Sequence, residues 1–313
     1  MKKPRVFIVK ESKLIWMNGT LVPWADAKIH VLTHSFHYAT AVFEGIRCFE
    51  TERGPAVFRL SEHINRFLDS MAIYMMEAPY TFDEMCKAVK EIVASNDLKE
   101  CYIRPIAYYS HGEMGLNPLP NKVLLAIAAW EWPSYLGEKA EKEGLRCEVS
   151  SWRRIHTSAL PPQAKATANY ANSALAKIEA LKTGYDEAIM LNMEGMVTEG
   201  TGENIFRIKD QVLSTPPATS GVLRGITRDT IIRVAEDLGI EFRRNEISRE
   251  ELYTSDELFL TGTAAGISPI REVDGRRIGR MNREWPLSLR LRDAYLNLVH
   301  GRIPKYTSWL DYV

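Results

Sequence analysis

Two rhythms of apolar residues run along the chain, one of period two and one of period 3.6, and each predicts an element. Residues 14–24 alternate about Asn18-Gly19, a dipeptide that tolerates positive φ, so an antiparallel hairpin with a two-residue turn is expected. Ile64, Phe67, Leu68 and Met71 follow the i, i+3, i+4, i+7 spacing of a helix face, with Ser61 placed to cap it and Arg66 beside the stripe. Thr81 and Glu84 stand in capping-box spacing ahead of a second stripe, Met85, Val89 and Ile92. Strands over 101–110 and 122–130 follow. Residues 131–144 then turn polar, with Pro133, Gly137 and a charge run, which places a boundary there.

Beyond that boundary, 169–182 reads as helix and 187–192 as extended chain. A turn at 193–195 leads into a single strand over 196–208. Thr227 is expected to cap a further helix with Ile231, Val234, Ala235 and Leu238 inward and Gly239 at its end, and Ser248 with Glu251 forms another capping box. No solenoid-type repeat or low-complexity tract is visible. Strands and helices mix irregularly, so an α+β fold is preferred over a doubly wound sheet.

Length and composition narrow the class. The 313 residues suffice for one large or two ordinary domains. Forty Lys and Arg balance forty Asp and Glu, which leaves no general attraction to nucleic acid or to an anionic membrane, so any anion must be held by a local site. The longest apolar run, 123–130, falls far short of the ~20 residues a membrane helix needs. Cys48, Cys86, Cys101 and Cys147 form no Cys-x-x-Cys pair and no export signal opens the chain, so reduced thiols in a cytoplasmic protein are expected. Only His34 and His37 lie close together among the histidines, without a third ligand to complete a metal site.

Lys165 stands among small neighbours in Gln163-Ala164-Lys165-Ala166-Thr167-Ala168-Asn169-Tyr170. It is either a solvated lysine ahead of a helix or, if desolvated, a nucleophilic amine suited to Schiff-base chemistry. Gly221-Val222-Leu223-Arg224-Gly225-Ile226-Thr227-Arg228 runs through glycines into a helix start, where free N–H groups favour a phosphate; the Thr227 hydroxyl could cap the helix or donate to that anion. A second small-residue turn spans Thr261-Gly262-Thr263-Ala264-Ala265-Gly266. Glu199 interrupts an apolar stretch and is either solvated or paired with a cation such as a protonated pyridine nitrogen. Tyr102 and Arg104, two apart on a strand, share a face and suit a carboxylate, although a plain surface arginine is also compatible.

Together these segments resemble the branched-chain amino acid aminotransferases of pyridoxal phosphate fold type IV, over nearly the whole chain. The resemblance runs through His37-Tyr38, Val42-Phe43-Glu44-Gly45-Ile46-Arg47, Glu62 to Arg66, Tyr102 to Pro105 and Met114-Gly115-Leu116-Asn117-Pro118. It continues through Lys165 to Tyr170, Glu199 to Asn204, Gly225 to Arg228 and Gly262 to Ala265. It implies a smaller N-terminal α/β sandwich (1–132), a linker (133–144) and a larger C-terminal pseudo-barrel (145–313), with pyridoxal 5'-phosphate between the domains. Lys165 is implied as the Schiff-base lysine and proton shuttle, Glu199 as partner of the pyridine nitrogen and Tyr170 as neighbour of the phenolic oxygen. Arg66, Leu223, Gly225, Ile226, Thr227, Gly262 and Thr263 are implied as the remaining cofactor contacts.

For the substrate, the resemblance implies that Tyr102 and the Thr263-Ala264-Ala265 turn take the α-carboxylate. Phe43, Gly45, Arg47, Trp132, Tyr135 and Tyr38 would surround the side chain, and Arg104 would answer an acidic one. Tyr38 and Leu116 would come from a neighbouring subunit, which makes a homodimer the minimal unit and allows a higher homo-oligomer such as a hexamer. The implied reaction moves the amino group of leucine, isoleucine or valine to 2-oxoglutarate, giving glutamate. A D-amino acid aminotransferase or an aminodeoxychorismate lyase would use the same lysine and loops, but 102–105 and 114–118 favour the branched-chain pattern. A carrier that merely retains the vitamin fits poorly with Lys165, Glu199 and Arg66 together. Departures from relatives lie at Thr167, Ala168, Arg224 and Gly266.

Overall fold

A computed structural model describes residues 9–132, 143–279 and 285–313. The described chain divides into two compact units, one of residues 9–132, 164–168 and 297–313, the other of 143–163 and 169–296. A single cut is therefore too simple, because the chain returns to its first unit twice. The expected linker lies outside the described residues except for 143–144.

Strands of the N-terminal unit, among the described residues, form one eight-stranded sheet. Leu14–Met17 and Thr20–Pro23 pair as the expected hairpin, with Asn18 and Gly19 both at positive φ. The central strands Ile46–Thr51, Cys101–Tyr109 and Val123–Glu131 are joined at the edge by Gly54–Phe58 and the C-terminal Leu310–Tyr312. Helices Leu60–Ile73 and Phe82–Ser95 bury Ile64, Phe67, Met71, Met85, Val89 and Ile92 with Ile46, Ile103 and Ile127 in one core. The capping box at Thr81 and Glu84 is formed. Ser61 is not a cap: the helix begins at Leu60 behind Arg59, whose left-handed backbone (φ 51°) turns the chain in from the strand.

Closure distinguishes the C-terminal unit. Val197–Gly200, Glu187–Leu191, Leu145–Val149, Gly266–Val273, Glu257–Gly262 and Asn204–Lys209 pair in that order, and the last strand pairs back onto the first. The ring so made encloses Leu145, Ile189, Leu191, Val197, Ile205, Leu258, Leu260 and Ile270, and a closed ring leaves these strands no bare edge. The pairing that closes it, Glu199 with Asn204, corrects the expectation of one strand over 196–208. Gly200-Thr201-Gly202-Glu203 reverses the chain there, so two antiparallel strands replace one and Glu199 faces the residue five positions on. Helix Ile226–Asp237 buries Ile231, Ile232, Val234 and Ala235, and helix Thr167–Thr183 leads in from Lys165.

Candidate active site

Lys165 is fastened to the N-terminal unit by its backbone. Its carbonyl accepts from Phe43 N–H at 2.9 Å and its own N–H donates to Ser70 Oγ at 3.0 Å, while Ala166 bridges Val42 and Thr167 N–H reaches Ala41 O. Extended chain flanked by alanines is what permits this, since larger side chains would collide with the strand. The residue is half-buried, and its amine lies 5.2 Å from the centre of the Phe43 ring. An ammonium is stabilised there by the ring face, and a neutral amine meets an apolar surface.

Ser70 also donates to Arg66 O at 2.8 Å, which ties the lysine segment to helix Leu60–Ile73. Arg66 directs Nε and Nη2 to the two oxygens of Glu44 at 2.6 and 2.9 Å, and His63 Nδ1 lies 2.7 Å from Glu44 Oε2. Burial alone would raise the Glu44 acid, but Arg66 and His63 outweigh it and hold the carboxyl well below the usual carboxylate range. Burial lowers His63 from its ordinary value more than Glu44 raises it, and because a carboxylate can only accept, Nδ1 is the donor in their contact.

Tyr102 and Arg104 do share a face. Arg104 Nη2 donates to Tyr102 Oη at 3.3 Å, its guanidinium lies 4.8 Å from the Phe43 ring, and Tyr102 stacks on Trp132 at 4.5 Å. Gly45 admits this cluster: a Cβ there would stand 1.9 Å from the Tyr102 hydroxyl. Arg47, in contrast, is drawn to Glu100 at 2.5 Å. Tyr38 donates to Met114 O at 3.0 Å, and both Tyr38 and Leu116 are exposed. Tyr135 lies outside the described residues.

Within the C-terminal unit, Glu199 is buried and fully dressed. Arg154 Nη2 meets Oε1 at 2.9 Å, while Oε2 accepts from Leu223 N–H at 3.0 Å and Asn204 Nδ2 at 3.1 Å. The solvated alternative is thus removed, and the carboxylate has the cationic and hydrogen-bonding partners that its burial requires. Asn204 Nδ2 also donates to Leu223 O, and a Cβ at Gly225 would fall 1.9 Å from Asn204 Oδ1. Glycine is required there by close approach.

Helix Ile226–Asp237 starts behind Gly225 with no side-chain cap, which corrects the expectation that Thr227 caps it. Thr227 sits inside the first turn, and a first turn without a side-chain cap suits an anion. Arg228 turns inward to Thr215 Oγ1 and Pro216 O, with its pKa pushed down to about 10 by burial. The turn Thr263-Ala264-Ala265 joins strands paired at Gly262 and Gly266. Tyr170 lies half-buried in the first turns of helix Thr167–Thr183. The donor chemistry fits pyridoxal phosphate: a tethered amine, a buried carboxylate paired with an arginine, and a helix start without a side-chain cap after glycine.

Sequence reasoning missed Arg154, Asn204 as a clamp, Ser70, and the Glu44–His63 pair. Asn204, Glu44 and His63 lay inside recognised segments, but Arg154 in Trp152-Arg153-Arg154 carried no signal. No group of three or more metal-ligating side chains is found among the described residues, and no helix among them is long and apolar enough to cross a membrane.

Residues 41–273 match the family model "Amino-transferase class IV". The branched-chain-amino-acid aminotransferase of Escherichia coli K12 is 45% identical over 97% of this chain and 98% of its own, and that of Pseudomonas aeruginosa 46% over 95% and 96%. Among solved structures, the T.th. branched-chain amino acid aminotransferase complexed with N-(5'-phosphopyridoxyl)-L-glutamate superposes with TM-score 0.92 at 47% identity, covering 96% of this chain and 99% of that one.

Proposed function

The chain belongs to the class IV aminotransferase family, and from that premise we infer that it transfers the amino group of L-leucine, L-isoleucine or L-valine reversibly to 2-oxoglutarate. The products are the branched 2-oxo acid and L-glutamate, formed in a ping-pong sequence with pyridoxal 5'-phosphate as cofactor. When bound, that cofactor supplies the electron sink for the charge left at the substrate α-carbon. The reading rests on one observation above others: Lys165 is held by its backbone on both sides, with its amine set over the Phe43 ring.

Each side chain then has a task. Lys165 Nζ would hold the cofactor and, as the proton carrier, would move the α-proton of the substrate. Glu199 would face the pyridine nitrogen and favour its protonated form. We assign Arg66, Ile226, Thr227 and Thr263 to the phosphate, Leu223, Gly225 and Gly262 to the cofactor more generally, and Tyr170 to its phenolic oxygen. We assign Tyr102 and the Thr263-Ala264-Ala265 turn to the α-carboxylate. Phe43, Gly45, Tyr38, Arg47, Trp132 and Tyr135 are assigned to the substrate side chain, and Arg104 to an acidic one. Exposed Val31, Phe36, Tyr38 and Leu116 support a homodimer in which Tyr38 and Leu116 serve the neighbouring subunit. Free thiols at all four cysteines support a reducing, cytoplasmic setting.

Anaerobic addition of L-leucine to the yellow holoprotein tests the reaction. Bleaching with release of the matching 2-oxo acid is expected, together with a loss of about 10²-fold or more for Lys165→Ala, the usual worth of a positioned proton carrier. Response to D-amino acids alone, or a Lys165→Ala variant only a few-fold slower, would overturn the reading.

A further inference from the structure

Glu44 has no place in the chemistry so far, yet it is the most deeply buried carboxylate of the N-terminal unit that engages a proposed cofactor ligand. Its side chain is 0% exposed and that of Arg66 13%. The backbone around it is locked, with Glu44 N–H donating to Pro105 O at 2.9 Å and Gly45 N–H to Glu44 Oε2 at 3.2 Å. His63 and Arg66, three apart on one helix, reach the same carboxylate.

We infer that Glu44 is a positioning residue for the cofactor's phosphate: it fixes the Arg66 guanidinium by a two-point fork, with His63 bracing the fork from the second side. This rests on the proposal that Arg66 contacts the phosphate. A long arginine side chain loses rotamer freedom whenever it binds, and a fork made in advance removes that cost before the ligand arrives. A fork through Nε and Nη2 fixes the plane of the guanidinium, which a single contact would leave free to rotate. His63 adds a second donor to the same carboxylate through Nδ1 at 2.7 Å. Arg66 therefore serves as an aimed donor more than as a loose cation.

Glu44→Gln keeps the shape but replaces one acceptor oxygen with a donor that faces Arg66. The test titrates apoprotein by absorbance with two probes, pyridoxal 5'-phosphate and pyridoxal, and compares their dissociation constants. Arg66→Ala must reduce the preference for the phosphorylated probe; if it does not, the assignment of Arg66 to the phosphate fails first. Given that reduction, Glu44→Gln is expected to lower the preference roughly ten-fold or more, the worth of one charge-assisted hydrogen bond, and to add nothing further in the Arg66→Ala background. A Glu44→Gln protein that weakens both probes equally, or neither, overturns the inference, since a merely structural carboxylate would not discriminate between them. Should that variant fail to fold, Glu44→Asp, which retains the charge but withdraws the fork by a methylene, is judged by the same ratio.

Discussion

Gly225→Ala isolates the clamp on Glu199. With φ −66° and ψ 132° the glycine already has a backbone that alanine adopts freely, so the cost is purely one of space. The new Cβ would stand 1.9 Å from Asn204 Oδ1, and reaching an ordinary contact of roughly 3.5 Å moves the amide by about 1.6 Å. A shift of that size breaks both Asn204 bonds, to Glu199 Oε2 at 3.1 Å and to Leu223 O at 3.0 Å. One bond to a charged acceptor and one to a neutral carbonyl come to about 2.5–4 kcal/mol. Thermal unfolding of the apoprotein should fall by roughly 4–6 °C. Gly184→Ala, at φ +88° with nothing within 4 Å of the added carbon, is the control for backbone strain alone, at about 1–2 kcal/mol. In an Asn204→Ala background only the Arg228 Cβ contact at 3.3 Å remains, and Gly225→Ala should cost under about 1 kcal/mol. Additive costs in that cycle would refute the reasoning.

Three further outcomes follow from the geometry. Gly45→Ala pushes into the Tyr102 ring, 1.9 Å from its hydroxyl and 2.8 Å from Cζ, so KM for leucine should rise about ten-fold or more, which steady-state kinetics would read; an unchanged KM removes Tyr102 from the substrate site. Arg154→Met leaves the buried Glu199 carboxylate without its cation and should cost about 3–5 kcal/mol in urea unfolding, most of it recovered by adding Glu199→Gln; no recovery would mean that Arg154 acts through packing. Glu203, whose carboxyl accepts from Gly202 N–H, is pushed up to about 8 by burial first and by Glu187 second, against Lys177. Between its ordinary value of 4.5 and about 8 the folded state holds a proton that the unfolded chain has released, so stability falls as pH rises through that window. Glu203→Gln should flatten the decline between about pH 6.5 and 8, by up to about 1.4 kcal/mol per pH unit; a slope identical to wild type would show that Glu203 is already ionised.

Local rules carried a good part of the molecule. Period and capping residues located the hairpin at Asn18-Gly19, the helix behind Thr81 and the helix of Ile231 to Ala235, because each is decided within a few residues by sterics and side-chain-to-backbone bonds. They failed where two local readings competed. Ser61 and Thr227 look like caps, but the strand leading to Arg59 and the glycine before Ile226 start each helix earlier. Residues 196–208 look like one strand, and only the closing of the ring turned them into two.

By itself the sequence singled out the candidates for the chemistry, since Lys165, Glu199, Tyr102 and Arg104 stand in patterns whose residue types and spacing already limit what they can do. Tertiary structure alone decided what holds them. The Arg154 and Asn204 grip on Glu199 and the fork of Glu44 on Arg66 join residues 45, 5 and 22 positions apart. Periodicity cannot report such pairings: a buried charge selects its partner by proximity in the folded chain, where leaving it unpaired is costly, and not by distance along the backbone.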